Sequence, residues 1–283
     1  MLGALAAAAL LALAPPQWAS VRVPVANVWA APGAGHLPLD PHVWPTGSVT
    51  HSQRLALVGH MPTQVLYGEQ VRVLARRGGW TEVAVPDQPS PLDRRGYPGW
   101  VLSWQLVAPL PRARSIVTVT ARTSRLANGA EVSFGTRLPL LRRVGKVVEV
   151  TTPVGVSWLP AAAVAPLRES VVATARRFLG LRYLWGGLSA WGYDCSGLTW
   201  AVYRAHGITI PRDADAQLAA GAPVRMSALR PGDLIFYGVR QVHHVALAVG
   251  GGRMIESPNS ASTVRIVPIR SVDLAGIRRF PAK

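Results

Sequence analysis

The chain contains one cysteine, Cys195, in the string YDCSGLTW, and a pair of histidines, His243-His244, at the head of the run HHVALAVG. A thiol and an imidazole are the minimum for nucleophilic catalysis, because the thiolate attacks and the imidazole takes and returns the proton. One cysteine excludes an internal disulfide and any multi-cysteine zinc cage. After Cys195, Leu198, Ala201, Val202 and Ala205 recur at helical spacing and Gly207 ends the run, so Cys195 is expected at a helix N-terminus. There the partial positive charge favours a thiolate, Asp194 can cap the helix, and early backbone N–H groups can face an oxyanion. The competing reading of a lone cysteine is a small buried hydrophobe.

Strand alternation puts Val245, Leu247 and Val249 toward the core and His244 on the opposite face with Ala246 and Ala248, two small residues that leave room for the cysteine helix. His243 shares parity with the core set and is assigned to the strand edge. His206, in AHG at the helix end, is read as a dipole-complementing residue. If Gly250–Gly252 form a three-residue hairpin loop, paired residues sum to 502, so Glu256 lies opposite Ala246 and diagonal to His244. Glu256 can then accept the Nδ1–H of His244 and orient the ring. A two-residue loop would turn Glu256 away, leaving Asn259 as another candidate.

The elements that must position these groups fall into segments. Residues 21–110 carry short β-prone runs broken by Gly, Pro and Asp, with Val71, Val73, Thr81, Val83 and Val85 alternating about a Gly78-Gly79 turn, which suits a small β-barrel. A shorter copy occupies 111–167, where GKVVEVTT…GVSWLPAAAV parallels GGWTEVAV…GYPGWVLSWQL. From 168 to 283 the reading is α+β: a helix over RESVVATARRFLG with the stripe Val171, Val172, Ala175, Phe178 and Leu179, then the cysteine helix, then the strands DLIFY, HVALAVG, RMIESP and TVRIVPI. Residues 1–20 include an apolar run, LGALAAAALLALA. It is too short to span a bilayer and signal-like, with an A-x-A at Ala12-Leu13-Ala14 but no basic n-region, so the expected location is secreted or cell envelope, or cytoplasmic if the segment is no signal. The net charge of +16 predicts attraction to anionic polymers, wall polymers included. Because the arginines are scattered and no basic run is interleaved with aromatics, nucleic acid is not an expected partner.

The string YLWGGLSAWGYDCSGLTWAVYRAHGITIPRDADAQ, followed by LRPGDLIFYG and HHVALAVGGGRMIESP, resembles the NlpC-type cysteine peptidases over about residues 168–270. The resemblance implies a papain-like α+β catalytic domain, Cys195 and His244 as the catalytic pair, and Glu256 as the third polar group, where many members carry His. In the front half, VANVWAAP, TQVLYGEQVRVL, GGWTEVAVPDQPSP and GYPGWV resemble the first bacterial SH3-like domain of γ-D-glutamyl-L-diamino acid endopeptidases (dipeptidyl-peptidase VI), which carry two such domains. There the first SH3-like domain narrows the active site, favouring peptides with a free N-terminal L-Ala. Carried over by position, Tyr97, Tyr183, Trp185, Asp194, Ser196, Arg212 and His243 are expected to line the substrate pocket. Tyr183 and Trp185 are also readable as plain core, and Gly186, Gly187 and Gly192 as turns. One departure stands out: the family's amine-binding acid falls at Pro62, leaving Asp194 alone or Glu69 in its place.

The expected function is therefore hydrolysis of the γ-D-glutamyl-diamino acid bond of cell-wall peptides (muropeptides) by a monomer, with no metal, cofactor or transmembrane span. The alternatives are a D,L-endopeptidase or amidase acting on intact peptidoglycan, or a non-catalytic wall-binding protein. A cleft occluded by residues 60–100 would disfavour the polymer.

Overall fold

The computed structural model describes residues 17–33 and 49–280. The signal-like run at 2–14 lies outside them. Among the described residues the chain is strand-rich with few helices, and no helix is long and apolar enough to cross a membrane.

The front segment contains β1 (Trp18–Val21), β2 (Val25–Val28), a short helix α1 (His51–Leu55), β3 (Thr63–Leu66), β4 (Gln70–Arg77), β5 (Trp80–Val85), β6 (Tyr97–Leu102) and β7 (Leu106–Val107). They form a five-stranded sheet in the order β6-β5-β4-β1-β7 and a ribbon of β2 with β3. Valines at alternate positions drive this arrangement: Val71, Val83, Val85 and Val101 are fully buried together. Arg77 pairs with Trp80 across the Gly78-Gly79 turn, as the alternation predicts.

The middle segment contains β8 (Ile116–Thr118), β9 (Thr123–Arg125), β10 (Glu131–Ser133), β11 (Arg137–Val144), β12 (Val147–Thr152) and β13 (Gly155–Pro160). These make a four-stranded sheet, β13-β12-β11-β8, and a β9–β10 ribbon.

The C-terminal segment opens with α2 (Val171–Arg176), capped by Ser170. It continues with a β14 (Leu188–Ser189) and β15 (Gly192–Tyr193) ribbon, α3 (Cys195–Ala205), α4 (Ala214–Ala220) and β16 (Ala222–Pro223). Last come β17 (Leu234–Tyr237), β18 (His244–Gly250), β19 (Arg253–Glu256), β20 (Arg265–Pro268) and β21 (Leu274–Arg279). The six-stranded sheet runs β16-β21-β17-β18-β19-β20. Helix α4 and strand β21 were not expected from the sequence; α4 is only seven residues, and Gly276 interrupts the β pattern of LAGIRR. In α2 the inward side is Thr174, Ala175 and, in the turn that follows, Phe178, while Leu179 is 39% exposed. The helix ends at Arg176, before the i+8 position that would have brought Leu179 inward.

Two corrections concern the sheet. The cysteine helix packs on the Val245/Leu247 face of β18, in one core with Phe178, Trp200 and Phe236. The small Ala246 and Ala248 instead sit under Ile235, Tyr237 and Met254 in a second cluster on the other face. Large branched side chains on both surfaces bury more apolar area than the alanine face could offer α3. The β18–β19 turn is also not a three-residue loop: Gly250 pairs with Arg253 across Gly251-Gly252, both at positive φ, as a two-residue hairpin turn requires. A bulge between Ala248 and Gly250 absorbs the lost residue. Beyond it, Leu247 pairs with Ile255 and Ala248 with Met254, the register whose numbers sum to 502.

The segments interlock through single aromatic residues. Tyr67, from the front segment, is buried in the core of the middle one, and Phe134, from the middle one, stacks edge-on against Phe178 in the C-terminal core. Each such burial contributes roughly 1.5–3 kcal/mol.

Candidate active site

Helix α3 is fixed at its start by Asp194, whose Oδ1 accepts from the Gly197 backbone N–H at 2.6 Å. This is the N-cap expected from the sequence, and helix geometry leaves the N–H groups of Cys195 and Ser196 without intrahelical acceptors. Gly197 is required there because a Cβ would lie 2.1 Å from the Gly187 carbonyl oxygen. The helix is buried nearly all round, from Ser196 to Tyr203, so the Cys195 thiol at its exposed end is set by a rigid element.

His244 begins β18, directly across from Tyr237, whose ring lies 5.9 Å away at 30°. Its Nε2 is 3.0 Å from Glu256 Oε2, and its ring is hydrogen-bonded to Cys195. The nitrogen facing the acid is thus Nε2, not the Nδ1 expected from the sequence. With Nε2 on the acid, Nδ1 is the ring nitrogen left for the thiol. Burial by itself would lower the imidazole pKa, but hydrogen bonds donated by the ring to Cys195 and Glu256, and the charges of those groups, outweigh it and raise it to about 9. Burial would raise Glu256, yet His244, Arg270 and Arg265 together hold its carboxyl down at about 2. Asn259 is occupied elsewhere, its Oδ1 accepting from Ala261 N and Ser262 Oγ.

A cavity of about 390 Å³ opens over Cys195. Its walls include Tyr97, Tyr183, Trp185, Asp194, Ser196 and His243, all expected there, together with Gly59 and Pro62 from the front segment. Trp185 also packs into an apolar cluster with Trp29, Leu57 and Met61, so it serves wall and core at once. His243 is a strand-edge residue with its side chain 64% exposed. Gly186, at φ +69, admits the front segment: a Cβ there would meet the Met61 carbonyl oxygen at 2.0 Å.

Arg212 does not line the cavity; it lies fully buried behind it. Its guanidinium donates to Asp194 Oδ2 at 2.7 Å, Ser196 Oγ at 2.8 Å, Thr63 Oγ1 at 2.9 Å and the Pro62 carbonyl at 3.4 Å. A buried arginine with this many acceptors fixes the α3 N-terminus to the front segment. Glu69 does not replace the acid missing at Pro62. It is ion-paired to Arg204 at 2.6 Å, at the far end of α3, about 13 Å along the axis from Cys195. The cavity instead holds Asp213 and Asp215, two acids not expected there from the sequence although they flank Ala214 directly after Arg212. Burial, countered in part by Arg212, raises Asp213, which is hydrogen-bonded to the Tyr97 hydroxyl. The arrangement suits thiol-based acyl transfer: a nucleophile, a proton carrier oriented by a carboxylate, unpaired N–H groups, and an acidic end to the cavity.

Comparison with known proteins agrees. Residues 180–275 match the NlpC/P60 family, and residues 119–165 match the YKFC SH3b2 domain. The chain is 36% identical to the gamma-D-glutamyl-L-lysine dipeptidyl-peptidase of Bacillus subtilis, over 90% of this chain and 96% of that protein. It is 35% identical to the protein of the same name from Bacillus cereus, over 93% and 90% respectively. The crystal structure of an NlpC/P60 family protein from Bacillus cereus superposes with a TM-score of 0.83 at 34% identity, covering 93% of this chain and 99% of that one. The likeness extends over nine-tenths or more of the chain, with an NlpC/P60 domain following an SH3b domain, and the chain belongs to the NlpC/P60 family of cysteine peptidases.

Proposed function

We propose that the protein hydrolyses the γ-D-glutamyl-diamino acid bond of cell-wall peptides bearing a free N-terminal L-Ala, with Cys195 as nucleophile, His244 as base and Glu256 as its orienting acid. The carrying observation is the cavity itself: the single cysteine, bonded to a carboxylate-held imidazole, lies at the bottom of a site walled by Gly59, Pro62 and Tyr97 of the front segment. That wall favours a short free peptide over glycan-linked polymer. Although the chain carries +16, the cavity collects Asp194, Asp213 and Asp215 against the one Arg212 behind it, a setting for an ammonium group. Since Asp194 is already spanned by Arg212, Asp213 and Asp215 supply the unbalanced charge.

In the reaction the Cys195 thiolate adds to the γ-carbonyl of D-Glu, and the oxyanion faces the Cys195 and Ser196 N–H groups. The His244 imidazolium then gives its proton to the leaving amine of the diamino acid, the C–N bond breaks and a thioester remains. Water, deprotonated by the neutral imidazole, cleaves the thioester and regenerates the thiol. Ser196, Tyr183, Trp185 and His243 shape the pocket, and Arg212 holds Asp194.

The same reading assigns residues 21–110 and 111–167 as two small SH3-like β-barrels and 168–283 as the peptidase domain of a monomer. It takes residues 1–20 as an export signal, with action in the envelope or outside the cell, where the basic surface meets anionic wall polymers. Mass spectrometry of L-Ala-γ-D-Glu-diamino acid peptides tests the proposal. Expected are L-Ala-γ-D-Glu and the free diamino-acid portion from wild type, and nothing from Cys195→Ala. Acetylating the N-terminal amine should lower kcat/KM about 10- to 100-fold, the worth of one charged hydrogen bond. Equal cleavage of free and blocked peptides would refute the amine requirement.

A further inference from the structure

We propose that Arg265 and Arg270 are positioning residues of this reaction, a two-guanidinium shell that keeps Glu256 aimed at the His244 ring while offsetting part of the negative charge the ring would otherwise meet. The inference rests on His244 acting as the base.

The Glu256 side chain is 0% exposed and has three cationic neighbours rather than one. Its Oε1 accepts from Arg265 Nε at 3.1 Å and Nη2 at 2.9 Å; its Oε2 is shared between Arg270 Nη2 at 2.9 Å and His244 Nε2 at 3.0 Å. Arg265 faces Glu256 directly across the β19–β20 ladder. Arg270, just beyond β20, lies 4.6 Å from the centre of the Tyr237 ring, and Tyr237 in turn packs on His244. The backbone N–H of Arg270 donates to the Tyr237 hydroxyl at 3.3 Å, which itself donates to Met254 Sδ at 3.2 Å. Guanidinium, phenol ring and imidazole therefore form a layered stack, and the carboxylate bridges its two ends. The groups facing the imidazole are thus Cys195 on α3, Tyr237 on β17, Glu256 on β19 and, through Glu256, Arg265 and Arg270.

A buried carboxylate left alone with an imidazole would stabilise the imidazolium so strongly that it became a poor acid toward the leaving amine. Two guanidiniums on the same carboxylate oppose that effect without removing the acceptor that orients the ring. Both arginines are about half exposed, 49% and 44%, so they act on Glu256 from the solvent side and can be replaced without opening a core.

The test is the pH dependence of kcat/KM in Arg265→Gln, Arg270→Gln, the double variant and Arg270→Lys, each in the wild-type and the Glu256→Gln background. Removing a cation from Glu256 strengthens its hold on the imidazolium. The alkaline limb should therefore move to higher pH by about half a unit per arginine, furthest in the double variant. Arg270→Lys, which keeps the charge, should restore the wild-type limb, and the shifts should vanish when residue 256 is Gln. Limbs that coincide with wild type in the folded double variant, or shifts that persist undiminished in the Glu256→Gln background, would overturn the proposal. Turnover by His244→Ala would instead refute the base assignment beneath it.

Discussion

At the scale of single residues the site is an exercise in placing charge where burial opposes it. Glu256 is buried but carries three cationic hydrogen-bond donors, and His244 is buried but lies between a thiol and that acid. Because the imidazolium is favoured up to about pH 9, the alkaline fall in kcat/KM should centre near that pH. Glu256, at about 2, should contribute nothing to the acid limb. Its depressed value also fixes a sign for stability. The contribution of Glu256 is complete above the ordinary carboxylate range and fades as pH falls toward 2, so wild type and Glu256→Gln should differ in Tm at pH 7 and converge near pH 2. Activity should fall in the order wild type, Glu256→Gln, Glu256→Ala, since Gln keeps an acceptor and Ala keeps nothing. Equal kcat/KM in all three between pH 5 and 9 would remove Glu256 from the mechanism. The meeting of His244 and Glu256 was legible only in part: neighbouring strands of one hairpin were readable, but the register that joins the two residues depends on a bulge between Ala248 and Gly250, not on the three-residue loop expected. Which ring nitrogen faces the acid was not legible, since that depends on where the helix end meets the sheet. Nor did anything in TVRIVPIR mark Arg265 and Arg270 as partners of a residue on the neighbouring strand.

Among the elements, α3 is the one that everything else orients. Its N-terminus is held by Asp194, and Asp194 by Arg212, which also ties down Thr63 and Pro62 of the front segment. Arg212→Ala would leave a buried carboxylate without its counter-ion and should destabilise the protein by about 3–5 kcal/mol, read by chemical denaturation. A loss under 1 kcal/mol would mean that water replaces the guanidinium. The helix itself, its cap and its end at Gly207 were readable from spacing alone. The face it packs on was not, because alternation says which residues share a side of a strand and not which side a helix chooses. The compensating bulge at Ala248–Gly250 was equally hidden, though three consecutive glycines at positive φ signal that something other than a simple loop is there.

For the whole molecule, the front segment is part of the site rather than an appendage to it. Arg204, at the C-terminal end of α3, pairs with Glu69 and Asp87 of the front segment and donates to the Gly135 carbonyl of the middle one, closing a three-way clasp. Arg204→Ala should cost about 3 kcal/mol or more and speed proteolysis in the exposed connection 111–116; unchanged cleavage would show that Tyr67 and Phe134 hold the segments unaided. The passage from strands to the helix-bearing C-terminal segment was legible because composition changes sharply near residue 168. The interlocking was not, since Tyr67 and Phe134 look like local core residues in their own segments. One thiol does the chemistry, and the single cysteine makes that directly measurable. Wild-type enzyme titrated with iodoacetamide, followed by intact mass and by peptide hydrolysis in parallel, should lose activity in proportion to one carbamidomethyl group on Cys195, and saturating substrate should slow the modification. Protein that is fully alkylated at Cys195 and still cleaves the peptide would exclude Cys195 as the nucleophile.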